Sequence, residues 1–172
     1  MLQGDAMKKT RAVTLLLIAF FALSACGKTL KGTDALIEKA REEIPISDAD
    51  TIEMQYAGLS GKEDKVLLWF ISGNEYQAHY YLPMECSVAG TDEYTFEKTY
   101  RPMIRAADIA VLQWMNGYAF LVNNPKCSVI KITDAAGTHE EIIEENSYPY
   151  VFYYEQIPTE YAFLDEAGNE IT

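Results

Sequence analysis

The sequence predicts a mainly β fold, an antiparallel β-sandwich-like domain with one N-terminal helix. Three observations predict it. Short apolar stretches recur between turn signals at roughly 8–12-residue spacing, the pattern of a sandwich or barrel. The 172 residues include 12 Tyr and 7 Phe, side chains that suit a pleated, half-buried surface. Two turn signals, Ser72-Gly73-Asn74-Glu75 and Asn116-Gly117, each sit between apolar runs where hairpins are expected. In the sandwich the helix packs at one end. The alternative is an α+β domain with the helix packed on a curved antiparallel sheet.

The helix is expected from Thr33 to Ile44. Thr33 or Asp34 can cap it, and Leu36, Ala40 and Ile44 recur at i, i+4 and i+8 on one face. Ile37 widens the stripe, and Pro45 stops the helix. A strand follows from about Thr51 to Ala57, ahead of a turn region at Gly58–Asp64. Val66–Ile71 is a continuous apolar run, joined to Tyr76–Leu82 by a two-residue loop that Gly73 leads. That register sets Trp69 opposite Ala78. Ile109–Met115 and Tyr118–Val122, joined by Asn116-Gly117, form a second hairpin with Trp114 opposite Ala119. A small residue opposite a large one lets the indole lie over its neighbour.

Ser128–Thr133, His139–Ile143, Tyr150–Tyr154 and Tyr161–Leu164 complete the strands. Asp134-Ala135-Ala136-Gly137 and Asp165-Glu166-Ala167-Gly168 are turns in which glycine supplies positive φ. Ala89-Gly-Thr-Asp-Glu93 recurs as Ala136-Gly-Thr-His-Glu140, and Tyr118-Ala-Phe-Leu121 as Tyr161-Ala-Phe-Leu164, at offsets of 47 and 43. A repeat array keeps one period, so these are similar hairpins reused.

The N-terminus has the parts of an export signal. Lys8, Lys9 and Arg11 are basic, and Ala12–Leu23 is apolar apart from Thr14. The run is shorter than the roughly 20 residues a spanning helix needs. Leu23-Ser24-Ala25-Cys26 then closes it. This grammar resembles the signal peptide of a bacterial lipoprotein precursor. The resemblance covers only the leader. It implies that the Cys26 thiol receives a diacylglyceryl group, that the chain is cut just before Cys26, and that the new N-terminus is often acylated too. Two or more acyl chains give stable anchoring where one gives marginal binding. The alternative is an ordinary secretory signal with an incidental Cys26. Met7-Lys8-Lys9 is the more typical start, since Asp5 sits badly in a basic segment. The expected organisation is a signal peptide over 1–25, a lipidated cysteine and tether over 26–32, and a single β-rich extracytoplasmic domain over 33–172. The expected location is the cell membrane, on its extracytoplasmic face.

After loss of Lys8, Lys9, Arg11 and Asp5 with the leader, 147 residues carry 11 Lys plus Arg and 25 Asp plus Glu, a net charge of −14. That is one domain's length. The charge argues against nucleic acid, which is bound by clustered cations, and against lying flat on anionic lipid. Cys86 and Cys127 remain, and an oxidising compartment predicts a disulfide between them, with two buried free thiols as the alternative.

No motif carries catalysis. His79 and His139 are the two histidines, and neither has a spacing that resembles a metal or hydrolase motif. Glu140, Glu141, Glu144 and Glu145 form an acidic cluster that could attract calcium, but the alternating pattern of a calcium loop is missing. A solvated acidic edge that blunts strand pairing fits better. No metal and no cofactor are expected. Tyr148–Tyr154 reads Tyr-Pro-Tyr-Val-Phe-Tyr-Tyr, which puts Tyr150, Phe152 and Tyr154 on one face and Val151 and Tyr153 on the other. One face must be core. Tyr150, Tyr153 and Tyr154 are the candidate ligand-binding residues, as platforms for sugars or peptide side chains, and Tyr80 and Tyr81 form a similar two-sided pair. The expected function is a non-catalytic binding or interaction module of the cell envelope with a protein or carbohydrate partner. An envelope-structural role is the alternative, and a small hydrolase a more distant one.

Lipidation gives the first prediction. Cys26→Ser should leave an uncut precursor and abolish labelling by a clickable fatty acid. Labelling that survives the substitution would overturn the anchor.

Overall fold

Lys65–Ser72 reads Lys-Val-Leu-Leu-Trp-Phe-Ile-Ser, and a strand with apolar side chains on both faces must be covered on both. The computed structural model describes residues 29–45, 52–62, 64–73, 80–105 and 108–171. In it this strand lies inside a stack of four layers. The first layer is helix α1 (Gly32–Glu43). The second is an antiparallel sheet in the order β1 (Thr29–Lys31), β5 (Glu93–Thr99), β4 (Tyr80–Gly90), β3 (Lys65–Ser72), β2 (Met54–Lys62). The third is β11 (Tyr150–Tyr154), β8 (Gly117–Val122), β7 (Ile109–Trp114), β6 (Met103–Arg105), and the fourth is β10 (Gly137–Ile142), β9 (Val129–Asp134), β12 (Glu160–Leu164).

The period of two along each strand sorts the core into three seams. Val66, Leu68 and Phe70 of β3 and Leu82, Met84 and Cys86 of β4 meet Leu36, Ala40 and Ile44 of the α1 region. Leu67, Trp69, Ile71 and Tyr81 leave the opposite face and meet Ala110, Trp114, Ala119 and Leu121. Ile109, Val111, Phe120 and Val122 then pack on Ile130, Ile132 and Phe163 of the fourth layer. Each fully buried Leu, Ile or Phe contributes roughly 1.5–3 kcal/mol. The mainly β, sandwich-like domain with one helix is therefore what forms. It has three sheets, and the helix lies across the outer face of the first sheet, not at one end.

The helix stripe Leu36, Ala40, Ile44 is buried as its spacing predicts. Its start differs. Lys31 is the N-cap, without a side-chain hydrogen bond, and Thr33 and Asp34 fall in the first turn, where Asp34 suits the helix dipole. β1 occupies Thr29–Lys31 and pairs with β5, so part of the expected tether is strand. β2 runs through Gly58 to Lys62, where a turn is expected. A bulge between Tyr56 and Gly58 lets it continue, and a Cβ on Gly58 (φ 146°) would come 3.0 Å from Val151 Cγ2 of β11. Between Leu82 and Ile109, where no strand is expected, lie most of β4 and all of β5 and β6.

Both hairpin registers differ from expectation. β3 and β4 pair Ser72 with Tyr80, so residues 73–79 connect them and Trp69 faces Pro83, not Ala78. In the second hairpin Trp114 faces Gly117, and Ala119 faces Leu112. The two-residue loop is Met115–Asn116, with Met115 at φ 50°. Gly117 goes into the strand because only a residue without a side chain fits there. A Cβ on it would lie 2.0 Å from the Tyr154 carbonyl oxygen.

The expected Cys86–Cys127 disulfide is not formed. Cys86 lies in the seam between α1 and the first sheet, Cys127 in the seam between the third and fourth layers, and both are buried free thiols. Burial pushes the Cys86 thiol up to about 12 and the Cys127 thiol up to about 11. The leader, with Cys26, lies outside the described residues.

One charged group enters the seam between the first two sheets. Glu85 of β4 is 5% exposed. The Trp114 indole N–H donates to its Oε2 at 2.8 Å, and the Tyr100 hydroxyl donates to the same oxygen. Lys65 Nζ donates to Oε1 at 3.1 Å, and Lys98 Nζ stands 4.0 Å from Oε2. Burial raises the Glu85 carboxyl, but the hydrogen bonds from Tyr100, Trp114 and Lys65 outweigh it, and the net direction is down. A carboxyl held below its unfolded value, about 4.3 for Glu, stabilises the fold above that value and loses this contribution as pH falls through the folded one. Glu85→Leu should strand the Trp114 and Tyr100 donors and cost about 1–3 kcal/mol at neutral pH. The lysines can return to water and add little. The variant should also lose part of the acid-side slope in stability. Denaturant unfolding at neutral and acid pH checks both, and an unchanged midpoint with an unchanged slope would overturn the assignment.

Candidate protein-binding edge

Strand β6 ends the third layer, and among the described residues nothing pairs with its outer edge. Cross-strand partners share a face, so its side chains extend the buried rows of β7 outward. Ile104 pairs with Ala110, which belongs to the seam with the first sheet. Met103 pairs with Val111 and Arg105 with Ile109, both in the seam with the fourth layer. Where those rows reach β6 they meet solvent: Met103 is 50% exposed and Ile104 53%.

A recess flanks the strand on one face. Beside Ile104, a cavity of about 200 Å³ is lined by Tyr80, Tyr81, Arg101, Pro102 and Ile104. Tyr81 is fixed at its tip, where its hydroxyl donates to Asp108 Oδ1 at 2.7 Å, and burial, reinforced by Asp108, pushes that hydroxyl above its ordinary value. On the other face Arg105 lies over the Tyr161 ring at 5.2 Å and donates to its hydroxyl at 2.7 Å. Tyr161 in turn touches Tyr118, ring centroids 5.9 Å apart. Met103 therefore stands on the face of β6 that carries Arg105 over an aromatic surface.

The other sheet edges are protected. β10 leaves Ile142 70% exposed at its end, but exposed His139 and Glu140 make it a charged edge that discourages pairing. β12 is met by Glu170 through a bridge to Leu164. β1 is three residues long, with Lys31 held to Glu93 at 2.7 Å, and β2 is bulged. Among the described residues, only β6 combines an unpaired edge with two half-exposed large aliphatic side chains and no acid of its own. Sequence reasoning missed it, although Arg101-Pro102-Met103-Ile104-Arg105 gives a signal. Two of the chain's four arginines flank an apolar pair just after a proline, in an otherwise acidic protein.

The tyrosines Tyr150, Tyr153 and Tyr154 sit elsewhere, on β11 at the opposite edge of the third layer. The expected alternation holds: Tyr150, Phe152 and Tyr154 pack toward the fourth layer, Val151 and Tyr153 toward the first sheet. All three tyrosines are half-buried. Tyr150 donates to Glu141, Tyr154 to Asp134, and Tyr153 to Asn116 Oδ1 at 3.2 Å. Tyr153 also meets the Trp114 ring edge-on at 5.2 Å. Both faces of this strand are shared with a core, so the open ring platform is not presented there.

His139 is exposed, 3.4 Å from Asp134 Oδ1, and Tyr154 completes the group. The Tyr154 hydroxyl is pushed up to about 12 by its hydrogen bond to Asp134, away from a nucleophilic phenolate. Asp134 is held down first by the Tyr154 hydroxyl and then by the Ala136 backbone N–H, which is turn chemistry. His79 lies outside the described residues. No group of three or more His, Cys, Asp or Glu among the described residues is arranged to hold a metal ion. No protein-family model, curated protein or solved structure matches this chain.

The packing of β11 generates a prediction. Tyr150→Ala, Tyr153→Ala and Tyr154→Ala should each lower the melting temperature, by the equivalent of about 2 kcal/mol, less than the roughly 3–5 kcal/mol of a fully buried aromatic. Thermal unfolding of the three variants checks it. Wild-type melting in all three would return the strand to the candidate ligand surfaces.

Proposed function

We propose that this chain is a lipid-anchored, non-catalytic binding module on the extracytoplasmic face of the cell membrane, and that the partner it holds is a protein. The observation that carries the partner is β6: an unpaired strand edge with Met103 and Ile104 half-exposed and a side-chain-sized recess beside it. Exposed apolar edges are otherwise a hazard that proteins suppress. The aromatic side chains of β11 are packed and their hydroxyls committed, which favours a protein over a carbohydrate.

The leader ending at Cys26 supports the anchor. The first strand begins at Thr29, so the link from a lipidated Cys26 spans about 10 Å at most at roughly 3.3–3.6 Å per residue. The domain then rests against the headgroups and meets partners that are themselves at the membrane surface.

A photo-crosslinking residue in place of Ile104, in the full-length anchored protein in living cells, should give a discrete crosslinked protein. The same residue in place of the exposed Glu144 should give none. Equal labelling from both positions, or none from position 104, would overturn β6 as the partner surface.

A further inference from the structure

We propose that β6 is completed by strand addition, and that its occupant is an extended segment of a partner protein, apolar at its centre and acidic on both flanks. This rests on β6 being the partner surface and adds how the partner is read. A strand laid along the outer edge of Met103–Arg105 would satisfy the edge's backbone groups, the part of strand addition that gives affinity. Its side chains would alternate, as strand side chains must. Those on one face would follow Ile104 into the recess of about 200 Å³ lined by Tyr80, Tyr81, Arg101 and Pro102. Those on the other would follow Met103, beside the Tyr161 ring that Arg105 covers.

Charge supplies the flanks. Arg101 and Arg105 stand two positions to either side of Met103, and both are exposed. The rest of the domain is acidic, so this short basic bracket is what a carboxylate would seek. In an added strand the acids would fall two residues before and two after the residue opposite Met103, with apolar residues between.

The same arithmetic disfavours a second copy of this chain. Antiparallel pairing of β6 with itself about Met103 would set Arg101 of each copy opposite Arg105 of the other. Like charges directly opposite one another destabilise a strand pair, and two domains of net charge −14 repel as a whole.

The test uses the full-length protein in nanodiscs of uncharged lipid and three fluorescent peptides, followed by anisotropy. The first has the core Glu-Val-Ile-Val-Glu. The second has Lys for both Glu. The third keeps the acids but carries N-methyl groups on the central residues, which remove strand hydrogen bonds. The acidic peptide should bind at least about fivefold more tightly than the lysine peptide, as expected for two reversed cross-strand charge pairs. The N-methyl peptide should lose binding. Arg101→Glu together with Arg105→Glu should invert the charge preference while leaving the melting temperature close to wild type. Ile104→Asp should abolish binding of both charged peptides.

No preference between the charged peptides, no binding by either, or undiminished binding of the N-methyl peptide would overturn strand addition. So would a dimer in sedimentation that the acidic peptide does not dissociate and that Ile104→Asp abolishes, since the edge would then belong to a second copy. Crosslinking from position 104 in cells separates the two levels. If it persists while the peptides fail, a partner is held at β6 by another mode. If it too is absent, the partner surface itself is wrong.

Discussion

The Glu85 carboxylate sits where the chain leaves the first sheet for the next layer, and its bonds span that step. Tyr100, which donates to it, follows directly on β5 and precedes β6, and the Tyr100 backbone N–H is bound to the Pro83 carbonyl at 2.9 Å. Trp114, the second donor, is the last residue of β7. One buried charge therefore holds together the crossover and the far end of the hairpin that the crossover leads to. Leaving it without donors would be expensive, because an unpaired buried charge loses hydration without compensation. That cost sets the first sheet against the third layer in one position, and with it the place where β6 emerges.

The third layer is buried on both faces through Ile109–Val111 of β7 and Ala119–Val122 of β8. Ala110, Ala119 and Leu121 face one way, and Ile109, Val111, Phe120 and Val122 the other, all buried. Along β6 the sheets on either side give only partial cover: Tyr80 and Tyr81 of β4 line the recess beside Ile104, and Tyr161 of β12 meets Arg105. The apolar rows run on for one more strand and are cut off in water, which makes Met103 and Ile104 conspicuous. The functional surface proposed for this chain is thus a by-product of stacking. A layer that is core on both faces has an apolar edge on both faces.

Electrostatics then separates this edge from the rest of the surface. The chain spreads acids widely, and where a sheet edge is charged, as at β10, the charge discourages pairing. At β6 the flanking charges are arginines, one of them braced against an aromatic ring. Arg105 spends one donor on the Tyr161 hydroxyl and has others left for a carboxylate.

By itself the sequence determined the class of fold, the helix stripe of Leu36, Ala40 and Ile44, the alternation along Tyr150–Tyr154 and the turns at Asp134 and Asp165, because each is a local pattern repeated at a local period. Only the tertiary structure decided the registers, because a register depends on what lies across the layer. Gly117 belongs to the strand and not to the turn because Tyr153 and Tyr154 of β11 close over it. Cys86 and Cys127 read as a pair in composition, yet lie in seams on opposite sides of two sheets. Beyond Leu82, β4 is hidden by Pro83 and Glu85, which interrupt an apolar run; the Glu85 carboxylate is tolerated there because Trp114 of the next layer, with Tyr100 and Lys65, donates to it. The candidate edge was illegible for the same reason. Arg101-Pro-Met-Ile-Arg105 has no periodicity to read in three strand residues, and its exposure follows from its place at the end of the third layer.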